Sequence, residues 1–213
     1  MKEIIELCRK DVYQIYEKFD ASHDMQHIER VLLNAQKIIQ TEQKANPLIV
    51  ELGVLLHDIE DPKYKRTDNP SVRELLKKHQ LKPMIIEQII SCIDAVSFSG
   101  GNEVKIPSVE AAIIRDADRL DAIGAVGIAR AFAFGGARNR KLYNLDELPR
   151  DEMTETDYRK KEVATVTHFY EKLLKIKGLM VTNEGKRLAE ERHIFMKSFL
   201  AQLTNEIGSG DVS

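Results

Sequence analysis

Apolar residues recur at helical spacing along almost the whole of this chain, and the alternation of a half-buried strand appears almost nowhere. A period of 3.6 gathers apolar side chains on one helical stripe, whereas a sheet face needs a period of 2, so the pattern excludes most architectures that contain strands. Ile5, Cys8, Val12, Ile15 and Tyr16 share one face of an opening helix over residues 2–19. A second helix is expected from about Met25 to Ile39, with Ser22 or Asp24 as its cap and His27, Val31 and Asn34 on a single stripe. Asn46-Pro47 marks the next start, because the missing N–H of proline costs least in the first turn. Leu52, Leu55, Leu56 and Ile59 form the core side of that helix.

Ser71-Val72-Arg73-Glu74 has the capping-box pattern and opens a short helix ending near Gln80. Pro83 starts another, with Ile86, Ile89, Ile90 and Ile93 as its buried side. Ser108 caps a long stretch through Ile123, bent or closely packed at Gly124 and Gly127 and ended by Gly135-Gly136. Residues 61–70 and 97–107 carry loop chemistry, and 137–156 lack a period and read as a mobile excursion. Two helices, about 157–176 and 183–206, close the chain. The expected fold is all-α: one helical bundle over residues 1–206, followed by a flexible tail at 207–213.

With 32 basic and 34 acidic residues the net charge is −2, so no global field favours long nucleic acids or an anionic membrane. Cys8 and Cys92 are far apart in sequence and indicate neither a disulfide framework nor a zinc knuckle. Acids interrupt the first residues where a signal peptide needs an apolar run, and no stretch reaches membrane-spanning length. A cytoplasmic protein is expected.

His57 and Asp58 are adjacent at the end of an apolar helical run. Neighbours on a helix do not share a face, so either the helix is ending and both side chains turn toward one ion, or the pair is a chance dipeptide at a solvated end. A second acidic concentration, Asp116, Asp118 and Asp121, lies on an Ala/Ile-rich helix. Asp116 reads as an i, i+3 surface partner of Arg119, whereas Asp118 and Asp121 lie on or near the apolar stripe and call for a metal or a buried ion pair. His79, His168 and His193 sit in ordinary amphipathic helices and read as structural.

The order His27, His57-Asp58, Asp118 resembles the H…HD…D signature of HD-domain metal-dependent phosphohydrolases. The segment from Ser22-His23-Asp24 through His27 to Arg30-Val31 and the run Ala117-Asp118-Arg119-Leu120-Asp121-Ala122-Ile123-Gly124 are similar to those of a small single-domain bacterial branch. Phe134-Gly135-Gly136 and the run from His168 to Leu174 also fit that branch, so the resemblance covers most of the chain.

It implies a helical HD domain in which His27, His57, Asp58 and Asp118 hold one divalent cation, manganese ahead of cobalt, nickel, iron, zinc or magnesium. Such an ion polarises a phosphoryl oxygen and lowers the pKa of a water. Asp61, one turn beyond His57, would orient or deprotonate that water, and His23 would contact substrate or donate a proton. Lys63, Lys65 and Arg66 in the following loop, with Arg30 and Arg115 a turn from His27 and Asp118, are the candidate phosphate partners; Arg30 and Arg115 serve equally well as structural partners of the acids. Tyr64, Phe98, Phe132 and Phe134 are candidates for stacking on a base, with core packing favoured for the last two.

The branch resembles nucleotide pyrophosphohydrolases, which split a nucleoside triphosphate into monophosphate and pyrophosphate. Glu60-Asp61 follows His57-Asp58 after one residue, where the guanosine-tetraphosphate hydrolases of the family place two, which weighs against that substrate. The alternatives are a phosphodiesterase acting on cyclic or other small nucleotides and a non-catalytic metal-binding regulatory module. The expected partner is a small nucleotide or other phosphorylated substrate, and the apolar outer faces of the last two helices are compatible with a homodimer.

Overall fold

The computed structural model of this chain describes residues 2–19, 24–60, 69–96, 105–150 and 163–208. Among them are nine α-helices, one 3₁₀ helix and no strand. The chain divides into two compact units, and among the described residues the first ends at Asp118 and the second begins at Arg119. No helix among the described residues is long and apolar enough to cross a membrane.

In the first unit, α1 (Lys2–Tyr16), α2 (Met25–Ile39) and α5 (Pro83–Asp94) all pack on α3 (Pro47–Leu56), while α4 (Val72–Lys78) lies against α1 and α5. The sequence of α3 explains its central place: Ile49, Val50 and every residue from Leu52 to Leu56 are buried, and a helix apolar all round has no face to give to water. Its start is fixed by Asn46, whose side chain accepts from Leu48 N–H, and by Pro47 in the first turn. Asp24 caps α2, and Ser71 with Glu74 forms the full reciprocal capping box on α4. On α5 the buried side is Ile86, Ile89 and Cys92; Ile90 and Ile93, expected beside them, are only half-buried.

The stretch read as one long helix is two, α6 (Val109–Asp121) and α7 (Gly124–Gly136). Ser108 Oγ accepts from Ala111 N–H at the start of α6, as its position suggests. Gly124 restarts the helix at φ +75°, in the left-handed region that favours glycine. At Gly127 a Cβ would overlap the Ala122 carbonyl oxygen, so the chain closes on itself there through the absence of a side chain.

Within the second unit, α9 (Asn183–Glu206) packs on α7 and on the 3₁₀ helix Leu173–Leu179, and α8 (Thr165–Glu171) packs on α7 and on that same 3₁₀ helix. Of the helix expected over 157–176, residues 157–162 lie outside the described residues, and the rest is broken at Lys172, whose φ of −135° and ψ of −60° leave the helical region. Residues 137–150 carry no helix. They are held by hydrogen bonds from Thr165 N–H to Lys141 O, from Val166 N–H to Leu142 O and from Ala164 N–H to a Glu147 carboxylate oxygen. Arg150 clasps the buried Glu171 carboxylate at 2.7 and 2.9 Å.

Candidate metal centre

His27 is the third residue of α2, and its backbone N–H is the one that the Asp24 cap receives, at 3.0 Å. The cap thus fixes the turn that carries the imidazole. His57 and Asp58 follow α3 directly, in the turn through residue 60, and Asp118 is in the last turn of α6. All four belong to the first unit.

Their polar atoms converge. His27 Nε2 lies 3.5 Å from Asp58 Oδ2 and 3.5 Å from Asp118 Oδ1, while His57 Nε2 lies 3.4 Å from Asp58 Oδ1 and 3.8 Å from Asp118 Oδ1. One donor atom from each of His27, His57 and Asp118 falls within 4.8 Å of the others, the spacing of a shared ion. These separations are long for hydrogen bonds. Two ligand atoms about 2.1 Å from one ion at a tetrahedral angle stand about 3.4 Å apart, close to what the site shows.

The His57 ring is set to offer a lone pair inward. Its Nδ1 is 2.8 Å from the Val54 carbonyl oxygen, which can only accept, so Nδ1 carries the hydrogen and Nε2 is left as the basic nitrogen. That Nε2 is buried and has no hydrogen-bond partner. Burial opposes a charge on His57, but the carboxylates of Asp58 and Asp118 outweigh it and raise the pKa to about 10. Burial likewise opposes the charge of Asp118, and the two imidazoles hold its carboxyl below the usual range. His27 is 1% exposed, whereas the Asp118 side chain is 32% exposed and is the side of the cluster that meets water. Two imidazoles and two carboxylates fit a first-row divalent cation better than calcium.

Residues not singled out from sequence brace this arrangement. Tyr16, fully buried, donates its hydroxyl hydrogen to Leu55 O at 3.0 Å, in the turn that delivers His57 and Asp58. Asn34 donates from Nδ2 to Ala117 O at 3.0 Å, beside Asp118. The place of Asn34 on the His27 stripe is the one sequence signal for this, and Tyr16 offers none beyond its apolar face. Glu60 accepts from Val72 N–H at 3.2 Å, so the first acid after the His-Asp pair helps to start α4.

Of the remaining candidates, Arg30 is half-buried one turn after His27, and Arg115, on α6 before Asp118, is 3% exposed. His23, Asp61, Lys63, Lys65 and Arg66 lie outside the described residues, as do Tyr64 and Phe98. The surface pair of Asp116 and Arg119 is corrected. Asp116 is 0% and Arg119 7% exposed, and Arg119 Nη1 donates to Leu179 O at 2.8 Å, because the helix face that carries them turns inward. Asp121 is buried and meets Arg130 Nη1 at 2.6 Å, the ion pair its position called for. His79 bonds Asp11 at 2.8 Å, a structural role. Phe132 packs against Phe169 and Phe199 at centroid distances of 5.9 Å, in keeping with core packing.

The family model of the HD domain matches residues 25–123, the span holding all four converging side chains. YpgQ of Bacillus subtilis is 37% identical over 97% of this chain and 96% of its own length. A crystal structure of an HD-superfamily hydrolase from Bacillus thuringiensis is 35% identical, with a TM-score of 0.78 over 98% of this chain and 99% of that one. The chain belongs to the HD-domain superfamily. A crystal structure of Bacillus subtilis YpgQ in complex with ADP superimposes on this HD-domain protein with a TM-score of 0.77, at 34% identity over 96% of this chain and 98% of that one.

Proposed function

We propose that this HD-domain protein is a metal-dependent phosphohydrolase that splits nucleoside triphosphates into the monophosphate and pyrophosphate. The observation that carries the reading is the buried Nε2 of His57, which makes no hydrogen bond and faces two carboxylates at the spacing of a shared ion. The crystallisation of the relative YpgQ with ADP supports a nucleotide as the substrate class.

In this reading His27, His57, Asp58 and Asp118 hold the cation. Bound there, a divalent ion supplies Lewis acidity toward a phosphoryl oxygen and lowers the pKa of a water. Asp61 takes the proton from the attacking water, whose oxygen forms the new bond to the α-phosphorus as the bond to the α–β bridging oxygen breaks and pyrophosphate leaves. Lys63, Lys65 and Arg66, with Arg30 and Arg115, offset the phosphate charge, and His23 contacts the substrate or supplies a proton to the leaving group.

Purified protein incubated with manganese and a panel of nucleoside triphosphates, followed by product separation, tests this reading. Monophosphate with pyrophosphate in equal amounts is expected; diphosphate with inorganic phosphate would show the wrong bond, and no product with any divalent metal would overturn the reading. Asp61→Ala is expected to keep its metal content and lose turnover.

A further inference from the structure

In the second unit, α7 ends in a turn that sets two arginines over one aromatic ring. Arg140 N–H bonds Gly135 O at 2.9 Å and Asn139 N–H bonds Gly136 O at 3.1 Å, the paired bonds of a Schellman motif. Asn139 occupies the left-handed position at φ +54°. The reversal turns Arg138 and Arg140 back toward the helix, where the guanidinium carbons stand 3.5 Å and 5.3 Å from the centroid of the Phe134 ring.

Two like charges gathered on one ring repel each other. The ring face attracts each cation and the helix C-terminus favours positive charge, but neither supplies the in-plane acceptors that a guanidinium fork is shaped to meet. Among the described residues, neither arginine meets a carboxylate. Arg140 Nε is buried with no hydrogen-bond partner there, although Arg138 is exposed and open to solvent. Glu171, whose charge acts on His168 together with that of Arg140, is clasped by Arg150. The local field is positive beyond this pair. Burial, with the charges of Lys172 and Arg140 behind it, lowers the pKa of His168 to about 4, against a smaller opposing pull from Glu171.

We propose that Arg138 and Arg140, stacked on Phe134, form a binding site for the phosphoryl groups of a polyphosphate or phosphate ester. The ring and the turn hold both forks in place before the anion arrives, so little side-chain freedom is lost on binding. An anion here meets the exposed Arg138 fork and screens the repulsion between the two guanidiniums. Its phosphoryl groups belong to a phosphorylated ligand bound by the second unit, and recognition rests on their charge and on the fit of phosphoryl oxygens to the guanidinium fork.

Calorimetric titration of inorganic tripolyphosphate into the full chain, with chelator present to keep the metal centre out of the measurement, tests the site. Wild type is expected to bind, more weakly as salt rises. The double variant Arg138→Gln/Arg140→Gln is expected to bind at least about tenfold more weakly, with an unchanged circular dichroism spectrum and melting temperature. Arg138→Lys/Arg140→Lys should recover part of the affinity, because it keeps the charge and lacks the fork. No binding by wild type, or equal binding by wild type and the Gln variant, overturns the proposal whatever the protein hydrolyses.

Discussion

The loss of stability on mild acidification should trace largely to His168. Its imidazole is held neutral in the folded chain, first by burial and then by the charges of Lys172 and Arg140, with a pKa of about 4 against 6.5 for the free side chain. Above pH 6.5 both folded and unfolded states carry the neutral ring, and the group does not affect the balance. As pH falls below 6.5 the unfolded chain takes up a proton that the folded chain refuses until about pH 4, so stability drops across that window. Comparing proton uptake by the two states gives a loss of about 2 kcal/mol between pH 7 and pH 5 from this one residue. At this chain length that corresponds to roughly 4–8 °C in melting temperature. Urea unfolding of wild type and His168→Gln, followed by far-ultraviolet circular dichroism at both pH values, isolates the effect, since carboxylates elsewhere titrate in both proteins. Wild type should lose about 2 kcal/mol more than the variant over the interval. Equal losses would refute the assignment of the buried neutral ring.

Two further substitutions test close packing in the second unit and the anchoring of the turn that carries His57. Gly127→Ala places a methyl group against the Ala122 carbonyl, a backbone atom that cannot rotate away, and should cost about 1–3 kcal/mol in urea unfolding; an alanine variant as stable as wild type would contradict the close approach. Tyr16→Phe removes the hydroxyl that satisfies Leu55 O in the interior and should cost about 1–3 kcal/mol, with a weakened grip on metal because the turn carrying His57 loses its anchor. If Tyr16→Phe matches wild type in both stability and metal affinity, that hydroxyl plays no part in holding the turn.

Much of the first unit was legible in the sequence because its signals are local. Asp24, Asn46 with Pro47, and Ser71 with Glu74 cap helices through bonds spanning two or three residues, so their chemistry can be read from spacing alone. The convergence of His27, His57, Asp58 and Asp118 was expected only through resemblance to a family, since the spacing itself left a chance dipeptide open. What escaped depends on distant partners. Asp116 and Arg119 have the spacing of a surface pair, and only the packing of α6 shows that both are inside. The break at Ala122-Ile123 is set by Gly124 taking a positive φ, a conformation that glycine permits but does not announce. Arg138 and Arg140 read as charges in an aperiodic stretch, because a Schellman turn that brings both onto Phe134 has no marker there except an asparagine.

The central claim is that four side chains from three separate segments of the chain hold one divalent ion. Manganese titration of the metal-free protein by calorimetry, repeated with Asp118→Asn and His57→Gln, tests it most directly. The account predicts one ion per wild-type chain, with release of a proton to solvent as the cation displaces it from His57, and affinity reduced by about tenfold or more in each variant. Wild type that binds no manganese, or variants that bind it with wild-type affinity, would contradict the claim.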